Sequence, residues 1–222
     1  MCGIFGMYLN RPLNDEDIKI GEDGLAQLKH RGPDASNIFK KSKEGIFLGH
    51  NRLSIIDDSE KSNQPMQFEN YVIAYNGELY NYKEVAKKLI QNNIPLKTNG
   101  DTEVLFKAWI HWGKKALDFF DGMYAFVVYS KEGLHIVTDA FGEKPMYWYK
   151  KPDGVYFSSE PGPLIRLLKI PSNFNSYDIV SFLGLGFLPG KETGFLNLCK
   201  VEPGSIIHVR KNGTSYQERY WK

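Results

Sequence analysis

The chain has 222 residues, of which 42% are hydrophobic and 14% aromatic, enough for a sizeable core and too apolar for a disordered segment. Its 28 basic and 26 acidic residues leave a formal charge of +2, which excludes a strong electrostatic footprint for nucleic acid or an anionic membrane surface. No apolar run approaches ~20 residues and no basic region precedes an apolar stretch at the N-terminus, so neither a membrane span nor a signal peptide is expected.

Short strand-like runs dominate the chain from its start. "CGIFGMYL" is the first, and "DEDIKIGEDGLAQLKHRG" follows as a weak helix interrupted by Gly21 and Gly24. "GIFLGHNRLSII" and "YVIAYN" read as strands rich in Ile, Val, Phe and Tyr. "NYKEVAKKLIQNN" places Val85, Ala86 and Leu89 on one face of a helix. In "DTEVLFKAWIHWG" the apolar stripe is Val104, Leu105, Ala108, Trp109 and Trp112, with Asp101 or Thr102 as N-cap and Gly113 as stop. "YSKEGLHIV" is a hairpin, "MYWYK" and "GVYFSS" are further strands, and "YDIVSFLGLG" is a short late helix. After residue 195 the pattern offers one strand, "SIIHVRK", and one Asn-Gly turn. Tight turns between neighbouring strands imply antiparallel pairing, so the class is α+β.

The chemistry-bearing residues lie mostly at strand ends. Cys2 follows the initiator methionine directly; excision of Met1 makes its thiol and its α-amine parts of one residue. With reference pKa values near ~8.5 and ~7.7–8.0 the two are matched for proton exchange, and the amine can act as base for its own thiol. Two cysteines, Cys2 and Cys199, make no disulfide framework and point to a reducing, cytoplasmic setting. Asn76-Gly77 in "AYNGELYN" reads either as a tight turn or as an oxyanion hole built from a side-chain amide and a backbone N–H. Arg52 lies inside an apolar run, as a strand-edge charge or a carboxylate clamp. Glu78 and Asp101 are carboxylates suited to an ammonium group. Together these groups describe a site for an amino acid with a reactive side-chain carbonyl.

At this point the ordered stretches "MCGIFG", "HRGPD", "RLSIID", "QPM", "YNGELYN", "GDTE", "DGMYAF" and "FGEKPMYW" carry a resemblance. The chain resembles the glutaminase domain of class II glutamine amidotransferases, in the asparagine-synthetase branch. The resemblance implies an N-terminal nucleophile (Ntn) hydrolase fold, a four-layer αββα sandwich of two antiparallel sheets, and hydrolysis of L-glutamine to glutamate and ammonia. By the same resemblance Cys2 is the nucleophile and its freed amine the base, and Asn76 and Gly77 form the oxyanion hole. Arg52 holds the substrate carboxylate, Glu78 and Asp101 hold its amino group, and the backbone of Arg52, Leu53, Ser54, Ile55 and Ile56 lines the pocket. Arg31 and Asp34 of "HRGPD" brace the loop over the site, and His30 is structural; no metal site is expected.

The resemblance also divides the chain into a glutaminase domain over residues 1–200 and, over 201–222, a terminal strand and the start of a linker to a synthetase domain. That domain is the expected partner, fed with ammonia. The module itself needs no cofactor; ATP and Mg belong to the synthetase domain, whose Ser-Gly-Gly-x-Asp loop is absent here. "GLGFLPGKET" has the wrong glycine spacing for a phosphate loop. The acceptor is aspartate or a related carboxylate, with a sugar acid of surface polysaccharide as the other option, and a homodimer is left open. A non-catalytic domain retaining only the fold is the competing reading. Thr138 and Ala140 stand where the family usually has arginines.

Overall fold

A computed structural model describes residues 1–54 and 59–221. Two six-stranded sheets are stacked, and every neighbouring pair in both is antiparallel. The first runs β10 (Leu198–Lys200), β8 (Tyr147–Lys151), β9 (Gly154–Ser158), β1 (Gly3–Leu9), β3 (Ile46–Arg52), β2 (Ala35–Lys41). The second runs β12 (Ser215–Arg219), β11 (Ser205–Arg210), β7 (Gly133–Thr138), β6 (Gly122–Ser130), β5 (Tyr71–Leu79), β4 (Met66–Phe68). Helices α1 (Asp15–Ala26) and α4 (Pro161–Leu168) cover the first sheet; α2 (Tyr82–Gln91) and α3 (Asp101–Trp112) cover the second. This is the four-layer α+β sandwich expected of the Ntn-hydrolase type.

Strand alternation explains the layers. Successive side chains of a strand point to opposite faces. On β1, Ile4 and Tyr8 enter the core between the sheets, whereas Phe5, Met7 and Leu9 face the helices. On β3, Ile46 and Leu48 point inward and Phe47 outward. On β5, Val72 and Ala74 point inward and Ile73 and Tyr75 outward. Continuing each alternation puts Cys2, His50, Arg52, Asn76 and Glu78 on the inner faces, beyond the apolar core at one end of the sandwich.

Several local expectations are corrected. Helix α1 runs unbroken through Gly21 and Gly24, because a Cβ at either would strike the ring of Phe47 or Phe5; these glycines admit the rings of the sheet. A capping box of Asn14 and Asp17 starts that helix. The N-cap of α3 is Gly100, not Asp101 or Thr102, and the Asp101 side chain is used elsewhere. The Asn76-Gly77 pair makes no turn: β5 continues to Leu79 and pairs Gly77 with Tyr124. Two strands, β11 and β12, follow residue 200, so the tail is part of the second sheet. Helix α5 (Ser176–Leu185) leaves Tyr177, Ile179, Val180, Phe182 and Leu183 exposed. "GLGFLPG" trails from its C-terminal end, where no helix N-terminus faces a phosphate.

Candidate active site

One cleft of about 90 Å³, open to solvent, is lined by Cys2, Arg52, Leu53, Ser54, Asn76, Gly77, Glu78 and Asp101. Each of these was expected from the sequence, and the fold brings them together from four segments far apart in the chain. Ile55 and Ile56 lie outside the described residues. The register explains the meeting of the first two: Gly3 pairs with Asn51, so the next step along the ladder sets Cys2 opposite Arg52. Stacking of the sheets then places the end of β5, with Asn76 and Glu78, across the gap.

Cys2 is held at both ends. Leu53 N–H donates to its Sγ at 3.4 Å, and Arg31 Nε donates to its carbonyl at 2.9 Å. Arg31 is buried and in turn pairs with Glu160 at 2.9 Å, as does His30 Nε2 at 3.0 Å. Asp34 accepts from Ser54 N–H at 2.8 Å, and its own N–H donates to Arg52 O at 3.0 Å. Arg31 and Asp34 therefore do brace the segments beside the thiol. Burial pushes the Cys2 thiol above its ordinary value, with the Leu53 hydrogen bond, the N-terminal amine, Arg52 and Arg31 pulling the other way. A thiol in that state needs a base to become a nucleophile.

Asn76 is buried, and its Nδ2 is a donor without a hydrogen-bond partner among the described residues. Leaving a buried donor unpaired costs about 1–3 kcal/mol, and of the unpaired buried side-chain groups among the described residues Asn76 Nδ2 alone belongs to a residue lining the cleft. Gly77 follows inside the strand, and a Cβ there would run into the backbone carbonyl of Met123, so this position admits only glycine. The Arg52 guanidinium is buried and anchored, its Nη1 donating to Ser59 O at 2.9 Å and to Asn63 Oδ1 at 2.8 Å. The Asp101 carboxylate accepts from Tyr75 O–H at 2.7 Å and from Leu79 N–H at 3.0 Å. Burial pushes it up, against the pull of Leu79 N–H, Tyr75 and the first backbone N–H groups of α3.

Residue-type reasoning missed Ser62, Gln64, Tyr75, Thr102, Met123 and Lys144, which line the same cleft. Gln64 was marked only as part of "QPM"; its Oε1 accepts from Tyr75 N–H at 2.6 Å, and its Nε2 donates to Thr102 Oγ1 at 3.3 Å. Lys144 belongs to "FGEKP", a loop gathered on Asp139, whose carboxylate accepts from the N–H groups of Tyr124, Phe141, Glu143 and Lys144 at 3.0–3.1 Å. Thr138 beside it is buried and donates to Glu202 O at 2.8 Å, tying the loop to the tail. His50 spans the two sheets with Nε2 3.0 Å from Tyr75 O; burial pushes it down to about 4, so it is neutral. Among the described residues no group of three or more His, Cys, Asp or Glu is placed to hold a metal ion, and no described helix is long and apolar enough to cross a membrane.

Residues 1–221 match the glutamine amidotransferase domain family. The chain is 33% identical, over its whole length, to 35% of the asparagine synthetase [glutamine-hydrolyzing] 1 of Bacillus subtilis. Identity is also 33% to the putative asparagine synthetase [glutamine-hydrolyzing] 2 of Methanocaldococcus jannaschii, over 91% of this chain and 42% of that one. The chain thus spans between a third and a half of these curated relatives. Among solved structures, the glutamine phosphoribosylpyrophosphate amidotransferase of B. subtilis superposes with a TM-score of 0.72 at 21% identity, over 98% of this chain and 49% of that one, a likeness of fold.

Proposed function

We propose that this chain, which belongs to the glutamine amidotransferase domain family, hydrolyses the side-chain amide of L-glutamine through a thioester on Cys2. The observation that carries this reading is the unpaired, buried Asn76 Nδ2 in the cleft that holds the Cys2 thiol. An amide donor without an acceptor and a thiol without a neighbouring histidine base are both completed by one reaction. His30 Nε2 is occupied by Glu160 and His50 Nε2 by Tyr75 O, and neither histidine lines the cleft that holds the thiol.

Once Met1 is removed, the Cys2 amine takes the thiol proton and the thiolate attacks the glutamine Cδ. The carbonyl π electrons move to oxygen, which is met by Asn76 Nδ2 and Gly77 N–H. Collapse breaks the C–N bond, and the ammonium of Cys2 returns its proton to the leaving nitrogen, which departs as ammonia. Water, deprotonated by the same amine, then attacks the thioester and releases glutamate. Arg52 binds the α-carboxylate, Glu78 and Asp101 bind the α-ammonium, and Leu53 and Ser54 wall the pocket.

The ammonia would feed an ATP-dependent amidation of aspartate, the acceptor suggested by the names of the relatives. In this reading the tail strands β11 and β12 belong to the glutaminase domain, and a synthetase domain is the partner and the place of ATP and Mg. The exposed apolar residues of α5 support a covering partner. Two free thiols support a reducing, cytoplasmic setting.

The test is release of glutamate and ammonia from glutamine by the chain lacking Met1; no release by a correctly processed, folded chain overturns the reading. Arg52→Ala should raise the glutamine KM roughly 10- to 150-fold, the equivalent of about 1.5–3 kcal/mol for a charge-assisted contact, with a smaller change in kcat. The lower end is favoured because the cleft is open to solvent. An unchanged KM would remove Arg52 from the binding role.

A further inference from the structure

Tyr75 has no role in the reading above, yet it makes three hydrogen bonds at the cleft. Its N–H donates to Gln64 Oε1 at 2.6 Å, its carbonyl lies 3.0 Å from His50 Nε2, and its O–H donates to Asp101 Oδ2 at 2.7 Å. It is the residue before Asn76, and its ring packs on the helix-facing side of β5 while Asn76 points between the sheets. One residue therefore links β5 to the first turn of α3.

The geometry points to Tyr75 as a positioning residue that aims the Asp101 carboxylate at the α-ammonium of the substrate, so that its phenol sets recognition of an α-amino acid over a simple amide. The inference rests on the proposed glutaminase reading and deepens it.

Asp101 is the first residue of α3 and has a buried side chain. Leu79 N–H and the Tyr75 phenol share one oxygen, Oδ2, and the first backbone N–H groups of α3 bond the same carboxylate, so its plane is fixed where it lines the cleft. Burial and the neighbouring Asp101 charge push the Tyr75 phenol well above its ordinary value, so it remains a donor at any working pH. The titratable groups that share the cleft with Asp101 are Glu78 on β5, Arg52 on β3, Cys2 at the N-terminus and Lys144 from the loop after β7, with Tyr75 itself. None of the others replaces the phenol as a donor to Oδ2. Without it, burial dominates further, the carboxylate protonates at higher pH, and a protonated Asp101 cannot hold an ammonium.

The test is Tyr75→Phe, which keeps the ring and both backbone contacts and removes one oxygen. The glutamine KM should rise about tenfold, as expected for loss of a hydrogen bond to a charged group, with kcat changed little. The acid limb of kcat/KM should move to higher pH. Glutarate monoamide, which keeps the amide and the carboxylate and lacks the amino group, is the second substrate. Tyr75→Phe should hydrolyse it as the parent chain does, and the parent should prefer glutamine. An unmoved acid limb and KM overturn the assignment, as does an equal loss on both substrates, which marks a merely structural residue. A parent chain that does not discriminate between the substrates overturns it too. Failure of the parent on glutamine instead overturns the glutaminase reading itself.

Discussion

A chain that keeps Met1 should hydrolyse glutamine about 10²–10⁴ times more slowly than the chain that begins at Cys2, the contribution expected of a positioned general base. The reason is local. In the processed chain the nitrogen of Cys2 is a primary amine two bonds from Cβ, with a lone pair able to take the thiol proton. With Met1 attached, the same nitrogen is a planar amide with no basic lone pair. Among the described residues the cleft offers no histidine as replacement: burial pushes the thiol up, the Leu53 N–H can only stabilise a thiolate already formed, and neither His30 nor His50 lines the cleft. Met1 also lines the cleft, so its presence obstructs as well as deactivates. Intact mass of the active and inactive fractions, set against their ammonia release, checks the expectation. Placing a residue that resists excision before Cys2 should give a folded, inactive chain, and full activity in that chain would remove the amine from the mechanism.

How far the site could be read from the sequence follows from how the residues reach it. Cys2, Arg52, Asn76 and Glu78 continue the two-residue alternation of β1, β3 and β5, whose apolar members are plain in "CGIFGMYL", "GIFLGHNRL" and "YVIAYN". A polar residue at an inward position just past an apolar run is visible without coordinates. Tyr75 is not, because a tyrosine at an outward strand position looks like any core aromatic; its role lies in a hydrogen bond to a residue 26 positions away. Gln64 is similar, acting through a backbone N–H 11 residues on. Among the elements, β2 and β12 escaped because they are sheet edges. Only Phe39 is buried in β2, and no residue of β12 is, so neither shows the alternation of a half-buried strand. Helix α4 escaped for another reason. "PGPLIRLL" opens with residues that usually mark a loop, yet proline is tolerated in the first turn, where its missing N–H has no partner to lose.

Asn76→Ala should lower kcat for glutamine about 10²–10³-fold, the cost of removing one donor from an oxyanion hole, while KM moves little. In bound glutamine the side-chain carbonyl is planar and carries a partial charge. Attack by the thiolate makes that carbon tetrahedral and concentrates charge on its oxygen, and hydrogen bonds to charged acceptors are the stronger ones. A fixed donor therefore gains most in the transition state, and only such a differential gain raises kcat. The free chain supplies the second half of the argument. Asn76 Nδ2 is buried with no partner among the described residues, and an unsatisfied donor there costs stability before substrate arrives. Alanine removes that cost, so the variant should be at least as resistant to heat as the parent, apart from the small void left by the amide. Loss of rate with no loss of stability is the signature of a group strained for function rather than for folding. Thiol labelling of Cys2 should proceed as in the parent, since Leu53 and Arg31 hold that residue from the other sheet. A variant that keeps kcat and loses glutamine affinity would make Asn76 a binding residue, and one that melts well below the parent would make the amide structural.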